Sequence, residues 1–377
     1  MTSVAMGRVT VERVEGRSSL RRFIEFPYQL YRGDPNWVPP LLIGEWEKFN
    51  PRKNPFFEHA RMDLYLAWRE NRVVGRIAAI DDDNHNATHG DNLLFFGFFE
   101  ACDEEVAGIL LRTVEDRARQ LGRTLVRGPA NPSMNDGSGF QLEAFDTRPY
   151  VMMPQNPPEY PRYVEAAGYG KAMDLYAWEF DVGEGTSERL ARLAQRVKRR
   201  HPDVTVRGAD MKNLERDAAI LKRIYNEAWE KNWGFVKYTE AEFDALISEL
   251  KLILEPDLVL FVEVDGEVAG LSVTIPDINQ VFSRIGGRLL PFGILCLLQR
   301  RRYVNRGRMP ILGVLPEFRG RGFELLLIDE TARRARELGW VEGECSWVLE
   351  TNTAMNRGIE VSGATLYKRY RLYQKAV

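Results

Sequence analysis

The feature that most constrains the fold is a pair of similar hairpin patterns, one in each half of the chain. Residues 63–80 read DLYLAWRENRVVGRIAAI, and residues 257–275 read DLVLFVEVDGEVAGLSVTI. In both segments, apolar residues alternate along two short runs that are separated by a polar turn, at Glu70-Asn71 and at Asp265-Gly266. Alternation on both sides of a tight turn predicts an antiparallel β-hairpin. The sequence therefore predicts the same supersecondary unit twice.

The elements that follow the hairpins also recur in the same order. Each hairpin leads to a strand and an amphipathic helix, and we predict these helices at Glu104–Leu121 and Glu324–Leu338. Apolar residues follow the helical period in both, and both end in Leu-Gly, a common helix stop. Because self-similarity at a fixed offset indicates duplication, we predict two domains, residues 1–183 and 184–377. A Gly-rich link is expected at Asp181–Thr186.

Each half is predicted to close with a strand, a short helix and a last hairpin strand that begins after Gly168 or Gly363. The halves differ in their inserts. The first carries Pro129–Pro157 after its central strand, and the second carries Pro276–Arg308 before its own. The expected fold class is α+β (mixed α/β), with two tandem domains that each contain a mixed, largely antiparallel central sheet flanked by helices.

Composition argues against several kinds of site. The chain has 52 Lys+Arg and 54 Asp+Glu residues, so nucleic acid is not expected as a partner. Three scattered cysteines and four histidines show no ligand spacing, so we expect no metal, no disulfide framework and a reducing, cytoplasmic compartment. The apolar segment Leu289–Leu298 is too short to span a bilayer. It predicts either a core helix or a segment on a bilayer surface.

The segment with the clearest chemical meaning is 309–324, which reads MPILGVLPEFRGRGFE. It predicts a strand at Ile311–Leu315, a Gly-rich turn and the start of a helix. Backbone N–H groups of such a turn can hold a phosphate, and glycines let the chain approach it closely. Arg319 and Arg321 add positive charge and hydrogen-bond donors. The alternative is a surface turn with two solvated arginines.

This segment resembles motif A of the GNAT acyltransferase superfamily, Arg/Gln-x-x-Gly-x-Gly/Ala. The resemblance implies a co-substrate such as acetyl-CoA or a longer acyl-CoA, with its pyrophosphate at the turn and its pantetheine arm along the preceding strand. The second GNAT signature, an Asn-led loop and helix, matches at Asn352. The resemblance implies these donor contacts: Val314, Leu315, Arg319, Gly320, Arg321, Gly322, Phe323 and Asn352.

Two positions depart from the family pattern. Glu324 replaces a small residue and adds negative charge near the expected pyrophosphate. Either its side chain points away, or the donor binds less tightly, or the donor is an acyl carrier protein. Ile359 stands where many GNATs have the tyrosine that protonates the leaving thiolate. The candidates to replace that tyrosine are Tyr367, Tyr370 and Tyr373, and we assign the role to Tyr370.

The attacking amine must also lose a proton. A regular strand at Val341–Glu350 would place Glu342, Glu344, Ser346, Val348 and Glu350 on one face. We predict Glu344 and Glu350 as candidate catalytic bases, because GNAT bases are often carboxylates on central strands. The alternative for both is a solvated or salt-bridged carboxylate.

The acceptor site is predicted in the segment 225–238, YNEAWEKNWGFVKY. Asn226, Trp229 and Trp233 would contact the acceptor substrate, and the alternative is that the aromatic residues are core. The insert around 287–302 is apolar and flanked by arginines. It predicts a site for a long acyl chain or lipid amine, with peripheral contact at the inner membrane face, or else a buried plug.

The first half does not keep the phosphate turn, because its corresponding segment, Glu100–Glu105, is acidic and would repel a pyrophosphate. A tandem arrangement with one degenerate half resembles Fem-type aminoacyl transferases and N-myristoyltransferases. The runs YNEAWEKNWGFV and LGVLPEFRGRG are similar to those of bacterial tandem-GNAT proteins, some of the ceramide-synthase kind. This resemblance implies an N-acyltransferase that acts on a small-molecule or lipid amine. The alternatives are an enzyme that uses aminoacyl-tRNA and a non-catalytic acyl-CoA or lipid sensor.

Overall fold

The computed structural model describes residues 7–183, 187–230, 232–291 and 293–377, which form a mixture of helices and strands. The chain divides into two compact units, Met1–Asp174 with Tyr370–Val377, and Leu175–Arg369. The sequence predicted a single boundary between residues 183 and 184. The observed division instead falls inside two strands, and the predicted link residues 184–186 lie outside the described residues.

The first unit contains a twisted sheet with helices packed on it. Its elements are β1 (Val9–Arg13), α1 (Gly16–Leu30), α2 (Leu42–Lys48), β2 (Ala60–Arg69), β3 (Arg72–Asp82), α3 (Asp83–His89), β4 (Leu93–Ala101), α4 (Glu104–Gln120), β5 (Leu125–Gly128), β6 (Ala130–Asn131), β7 (Gly137–Ser138), β8 (Phe140–Gln141), α5 (Tyr160–Ala166) and the first part of β9 (Gly170–Asp181).

The second unit repeats this order. Its elements are the second part of β9, α6 (Glu188–Arg200), β10 (Val204–Gly208), α7 (Leu214–Trp229), α8 (Glu240–Lys251), β11 (Val259–Val264), β12 (Glu267–Pro276), α9 (Asn279–Ile285), α10 (Gly293–Leu298), β13 (Arg306–Val314), α11 (Phe323–Glu337), β14 (Glu342–Leu349), α12 (Thr353–Val361) and the first part of β15 (Thr365–Ala376).

Both predicted hairpins are confirmed, as β2–β3 and β11–β12. Their turns need left-handed backbone, with φ of 57° at Glu70, 53° at Asp265 and 81° at Gly266. Short polar residues and glycine tolerate that conformation best, which is why the tight turns form at these places. The predicted helices are also confirmed within a residue or so, since α4 begins at Glu104 and α11 at Phe323.

The two sheets have matching strand orders. The first unit has β1-β2-β3-β4-β5-β15, and the second has β10-β11-β12-β13-β14-β9. In each, the fourth and fifth strands are parallel, β4 with β5 and β13 with β14, and the neighbouring hairpin strands pair antiparallel. The predicted fold class, with a mixed and mostly antiparallel sheet in each half, is confirmed.

The last strand of each sheet comes from the other half of the sequence. Tyr373–Ala376 of β15 pair with β5, and residues up to Asp181 of β9 pair with β14. The sequence predicted that each half would close with its own last hairpin strand, and this was wrong. Both strands carry the same alternating pattern, so the local sequence does not distinguish the two pairings.

Apolar residues from both faces of the first sheet form the core of the first unit. Val106, Leu110 and Val114 of α4 are fully buried against Phe96 and Phe99 of β4. On the other face, Phe23 of α1 packs in a cluster with the buried residues of β2, β3 and β4. These layers fix β4 firmly, and β4 is the strand whose counterpart in the second unit borders the candidate site.

Candidate active site

The site begins where two parallel strands of the second unit diverge. β13 and β14 pair from Arg306 opposite Glu342 to Met309 opposite Cys345, and the pairing stops there. The next residue on β13 is Pro310, which has no N–H to donate, and the register with β12 shifts at the same place. Beyond this point a cleft of about 750 Å³ opens, bordered by the end of β13 and by Leu349 of β14.

The end of α7 and the loop after it form one wall of this cleft. Trp229 and Trp233 both line it, as do Glu227 and Glu230. A Cβ atom on Gly313 of β13 would lie 2.6 Å from the Trp229 ring, so only glycine allows the indole to rest on the strand. Two of the predicted acceptor residues thus reach the cleft.

The third predicted acceptor residue does not reach it. Asn226 belongs to the turn of α7 before Trp229 and is not among the described residues that line the cleft. Tyr225, on the same helix, stacks near Trp229, Phe235 and Tyr238, with ring centroids 5.3 Å, 5.3 Å and 5.4 Å away. The aromatic run is therefore partly core and partly cleft wall. Lys231, inside the same run, lies outside the described residues.

The predicted phosphate turn lies at one end of the cleft. Gly320 and Gly322 have φ of 75° and 85°, a conformation that favours glycine. Gly322 is the N-cap of α11 and provides no side chain to cap the first N–H groups of the helix. The start of a helix with uncapped N–H groups attracts anions, through hydrogen bonds and through the helix dipole.

The side chains of the turn take up different roles. Arg319 lines the cleft, and its guanidinium donates to the carbonyl oxygens of Val314 at 3.2 Å and Ala228 at 2.9 Å. It thereby joins the end of α7 to the end of β13. Arg321 is exposed and its guanidinium stacks on Phe318. Glu324 also lines the cleft, so a carboxylate stands near the helix start.

Two predicted donor residues are buried rather than exposed to the cleft. Leu315 and Phe323 have relative exposures of 1% and 0%. Phe323 packs near Phe318 and His201, with ring centroids 6.4 Å and 5.3 Å away. Their contribution is to hold the turn in place. Val314 and Gly320, in contrast, line the cleft directly.

A basic segment that the sequence reasoning missed lies beside this turn. The last turn of α6 carries Lys198, Arg199 and Arg200, all exposed. A Cβ on Gly322 would lie 2.8 Å from Val197 of the same helix, so α6 packs directly against the start of α11. The signal that could have found this segment is the cluster of basic residues in the sequence RVKRR.

The opposite side of the cleft comes from α12 and the loop before it. Asn352 is the N-cap of α12, and its Oδ1 accepts from the N–H of Met355 at 3.2 Å. Thr351, Asn352, Met355 and Gly358 all line the cleft. Asn352 and Arg319, which the sequence placed in one site, therefore border the same cleft.

A buried polar cluster lies where the pairing of β13 with β14 ends. Glu344 of β14 immediately precedes Cys345, the last residue of the parallel ladder. Its Oε1 accepts from Ser346 Oγ at 2.5 Å and lies 3.6 Å from Arg308 Nε, and its Oε2 accepts from the Tyr367 hydroxyl. Arg308 also donates from Nε to Ser346 Oγ at 2.8 Å. The carboxylate is fully enclosed among hydrogen-bond donors.

Burial has a clear effect on the thiol beside this cluster. Desolvation, together with the negative charge of Glu344, raises the pKa of Cys345 to about 12. The thiol is therefore protonated at neutral pH, and thiolate chemistry is excluded for this residue.

The other predicted catalytic residues lie elsewhere. Trp347 is skipped in the pairing with β9, where Ser346 faces Ala177 and Val348 faces Tyr176. This irregularity interrupts the alternation after Ser346, so the regular face expected from Glu342 through Ser346 does not continue to Val348 and Glu350. Glu350 follows the end of β14. Tyr370 is fully buried, belongs to the first unit and pairs with Gln141 of β8.

Glu344, Glu350 and Tyr370 are all missing from the described residues that line the cleft, and their catalytic roles stay predictions. Within the described ranges, no group of three or more His, Cys, Asp or Glu side chains is placed to hold a metal ion. Across the same ranges, every helix is too short or too polar to traverse a bilayer.

In the first unit the parallel strands β4 and β5 also diverge, but residues of the same unit fill the space between them. β4 and β5 pair only from Leu93 to Phe95 on β4. Beyond that, a Cβ on Gly97 would lie 1.8 Å from the Ala130 carbonyl oxygen, so β6 passes directly against β4. The N–H of Phe98 donates to Asn131 Oδ1 at 2.5 Å. Every residue of β4 is buried.

Comparison with known proteins gives relatives over the whole chain. The bacterial ceramide synthase of Caulobacter vibrioides is 40% identical over 378 residues, covering 98% of both proteins. Protein YghO of Escherichia coli is 36% identical over 389 residues, covering 100% of this chain and 98% of that protein. No protein-family model matches the chain.

Solved structures show the same fold at low sequence identity. A tandem GNAT protein from the clavulanic acid biosynthesis pathway superposes over 98% of each chain with a TM-score of 0.58 and 12% identity. A GCN5-related N-acetyltransferase from Sphaerobacter thermophilus covers 83% of this chain and 80% of its own, with a TM-score of 0.50 and 14% identity.

Proposed function

The chain belongs to the tandem-GNAT protein family that includes the bacterial ceramide synthase of Caulobacter vibrioides and YghO of Escherichia coli, and we propose that it is an N-acyltransferase. In this proposal the second unit transfers an acyl group from a phosphopantetheine thioester to a primary amine. The observation that carries the proposal is the cleft of about 750 Å³, which joins an unpaired strand edge to an uncapped helix start.

The two ends of the cleft suit the two ends of such a donor. The N–H groups at the start of α11 would bind phosphate, and the nearby cations of α6 would add attraction. Past Met309, the edge of β13 that faces β14 is not used for strand pairing, so backbone groups other than the Val314 carbonyl, which accepts from Arg319, can bond the amides of a pantetheine arm. Both acyl-CoA and an acyl carrier protein present this arm.

The reaction requires one proton to leave the amine and one to reach the sulfur. The amine nitrogen attacks the thioester carbonyl carbon, the C–N bond forms, and the C–S bond breaks to release a thiol. We assign Glu344 as the proton acceptor, because it is the buried carboxylate at the closed end of the divergence. Tyr367, whose hydroxyl donates to Glu344, is the group through which a proton can pass to or from it.

The acceptor is proposed to be a long-chain amine. A ceramide is the amide of a long-chain amino alcohol, and one relative is named as a synthase of such a product. The cleft wall matches that chemistry, because the indoles of Trp229 and Trp233 offer apolar surface. Glu227, Glu230 and Glu324 around the same cleft would attract an ammonium group.

The test is a transfer assay on the purified full chain. Acetyl-CoA, a long-chain acyl-CoA and a long-chain acyl carrier protein are each mixed with a long-chain amino alcohol, and amide formation is followed by mass spectrometry with thiol release. We expect amide from at least one long-chain donor, and the donor that works distinguishes CoA from the carrier protein. If none of the three donors binds in calorimetry and no thiol is released, the proposal is wrong.

A further inference from the structure

The insert before β13 ends in an exposed apolar tip, which we define as residues 288–302. Leu290, Ile294, Leu295 and Leu298 within it have relative exposures of 77%, 44%, 53% and 72%. Ile294 and Leu298 are four residues apart, so their side chains lie along one side of α10, and Leu290 lies in the turn before the helix. The sequence left open a core helix, a buried plug or a segment on a bilayer surface, and the exposure of these side chains favours the last. Phe292, inside it, lies outside the described residues.

The charged residues of the segment itself are of one sign. Residues 278–305 contain five arginines and no Asp or Glu. Arg300 and Arg301 pair with Glu255, whereas Arg288 and Arg302 are exposed, close in sequence to the leucines on either side. An apolar surface bordered by arginines is the pattern of a segment that inserts shallowly into an anionic bilayer. The helix has only 6 residues, so it could lie in one surface of a bilayer without crossing it.

We propose that the tip docks the protein on an anionic lipid surface, with the leucines among the acyl chains and the arginines at the headgroups. A second copy of the chain is the less favoured occupant, because two such tips would bring their arginines together. The proposal does not depend on the acyl-transfer reaction.

Vesicle sedimentation tests the proposal with the full chain. We expect the protein to pellet with vesicles of phosphatidylglycerol and phosphatidylcholine, and to pellet much less with phosphatidylcholine alone. The double variant Leu290→Asn, Leu298→Asn should lose most of this binding. Leu252→Asn is the matched control, because Leu252 has the same exposure of 77% outside the tip, and it should bind like the wild type.

Charge and insertion are tested separately. Arg288→Gln with Arg302→Gln should weaken binding to the anionic vesicles, and added salt should weaken the wild type in the same way. Cys296, in α10, can carry an environment-sensitive dye in a Cys102→Ser background, since Cys345 is buried with a pKa raised to about 12. Vesicles should shift the emission of this dye to shorter wavelength, and should leave a dye at Cys102 in a Cys296→Ser background unchanged.

Three results would overturn the proposal. The first is wild-type protein that stays in solution with anionic vesicles. The second is equal vesicle binding by the leucine variants. The third is a wild-type dimer in light scattering that the leucine variants convert to a monomer while vesicle binding is unaffected, because the tip would then be an interface between copies.

Discussion

The same divergence of two parallel strands occurs in both units, and it is open in one and filled in the other. In the second unit, β13 leaves β14 after Met309, and Gly313 lies further along on the wall of the cleft. In the first unit, β4 leaves β5 after Phe95, and Phe99 lies further along the same strand. Phe99 is buried against Phe140 and Tyr160, with ring centroids 5.6 Å and 5.1 Å away.

The helices that follow these strands differ in the same sense. The N-cap of α11 is Gly322, which has no side chain that could accept from the first N–H groups of the helix. The N-cap of α4 is Asp103. Its Oδ1 accepts from the N–H of Val106 at 3.0 Å, and its Oδ2 accepts from Arg69 at 2.7 Å. A fixed carboxylate thus occupies the place where an anionic ligand would bind.

In a duplicated fold, one copy can lose its binding site when its own residues provide the hydrogen bonds and the packing that a ligand would otherwise provide. In the first unit, Asn131 satisfies a strand N–H, Asp103 caps the helix, and aromatic rings fill the gap between strands. The second unit leaves the equivalent groups open, at a cost in packing. Four changes test this contrast.

The largest effect is expected from Gly313→Phe, which places an aromatic ring in the cleft of the second unit, as aromatic rings fill the gap between strands in the first. A ring at this position would meet Trp229, which already lies within 2.6 Å of where a Cβ would be, and would fill the cleft. We expect no measurable binding of a long-chain acyl-CoA in calorimetry and no thiol release. Gly358→Ala is the control, because Gly358 lines the cleft but an added Cβ meets nothing within 4 Å. Normal donor binding by Gly313→Phe would refute the contrast.

The next effect concerns Glu344. Glu344→Gln keeps the size of the side chain but removes its ability to accept a proton, so we expect kcat to fall on the order of 100-fold while donor affinity is unchanged. Glu342→Gln is the matched control, since Glu342 lies on the same strand and is exposed. A melting temperature measured for each variant separates a catalytic loss from unfolding. Unchanged kcat would show that Glu344 is only a structural ion-pair residue.

A smaller effect distinguishes the two glycines of the turn. Alanine at Gly320 or Gly322 would be strained in both cases, because their φ values are 75° and 85°. Only at Gly322 would the new Cβ also lie 2.8 Å from Val197 and disturb the contact between α6 and α11. We therefore expect Gly322→Ala to weaken donor binding about tenfold, or about 1.4 kcal/mol, and Gly320→Ala to weaken it less. Equal losses would mean that the helix contact does not matter.

The smallest effect is expected in the first unit. Burial raises the pKa of Asp103, but the hydrogen bonds from Arg69 and Val106 lower it by more than burial raises it. The pKa of Asp103 in the folded protein therefore lies below its ordinary value. The charge therefore stabilises the fold above the ordinary pKa, and this stability disappears as the pH falls through the folded pKa. Asp103→Asn keeps a capping side chain, so it should cost no more than about 1 kcal/mol at neutral pH.

Urea denaturation of Asp103→Asn and wild type across the acid range measures this difference, which should shrink as the pH falls. Calorimetry with acyl-CoA should show that the variant gives the first unit no new donor site, because β4 stays closed by Ala130 and Asn131. A gap in stability that grows in acid would contradict the assignment of the charge.

The sequence was most informative where local chemistry decides the structure. The turn at Gly320 and Gly322 and the hairpin turn at Asp265-Gly266 were correctly located, because few residues other than glycine adopt their backbone angles easily. β13 was predicted to start only at Ile311, whereas it starts at Arg306. These residues were assigned to the insert Pro276–Arg308, but Arg306 pairs with the buried Asp277 at 2.7 Å and Arg308 is enclosed by Ser346 and Glu344.

The candidate site was predictable only in part. Arg319, Trp229 and Asn352 come from three distant segments, and their motifs were enough to place them in one cleft. The location of Tyr370 could not be predicted, because it depends on which sheet the last strand joins. Long-range strand pairing determines that, and the local sequence does not. The exposure of α10 could not be predicted either, since a run of leucines has the same pattern whether it is buried or exposed.

The exchanged last strand sets the order in which the protein can be completed. Tyr373 and Lys375 of β15 hold the first unit together through Glu165 and Glu115, at 2.8 Å and 2.9 Å. A ribosome delivers these residues only after the whole of the second unit. Until then β5 has a free edge, which can recruit strands from other nascent chains. The half that is synthesised first is therefore the half that is finished last.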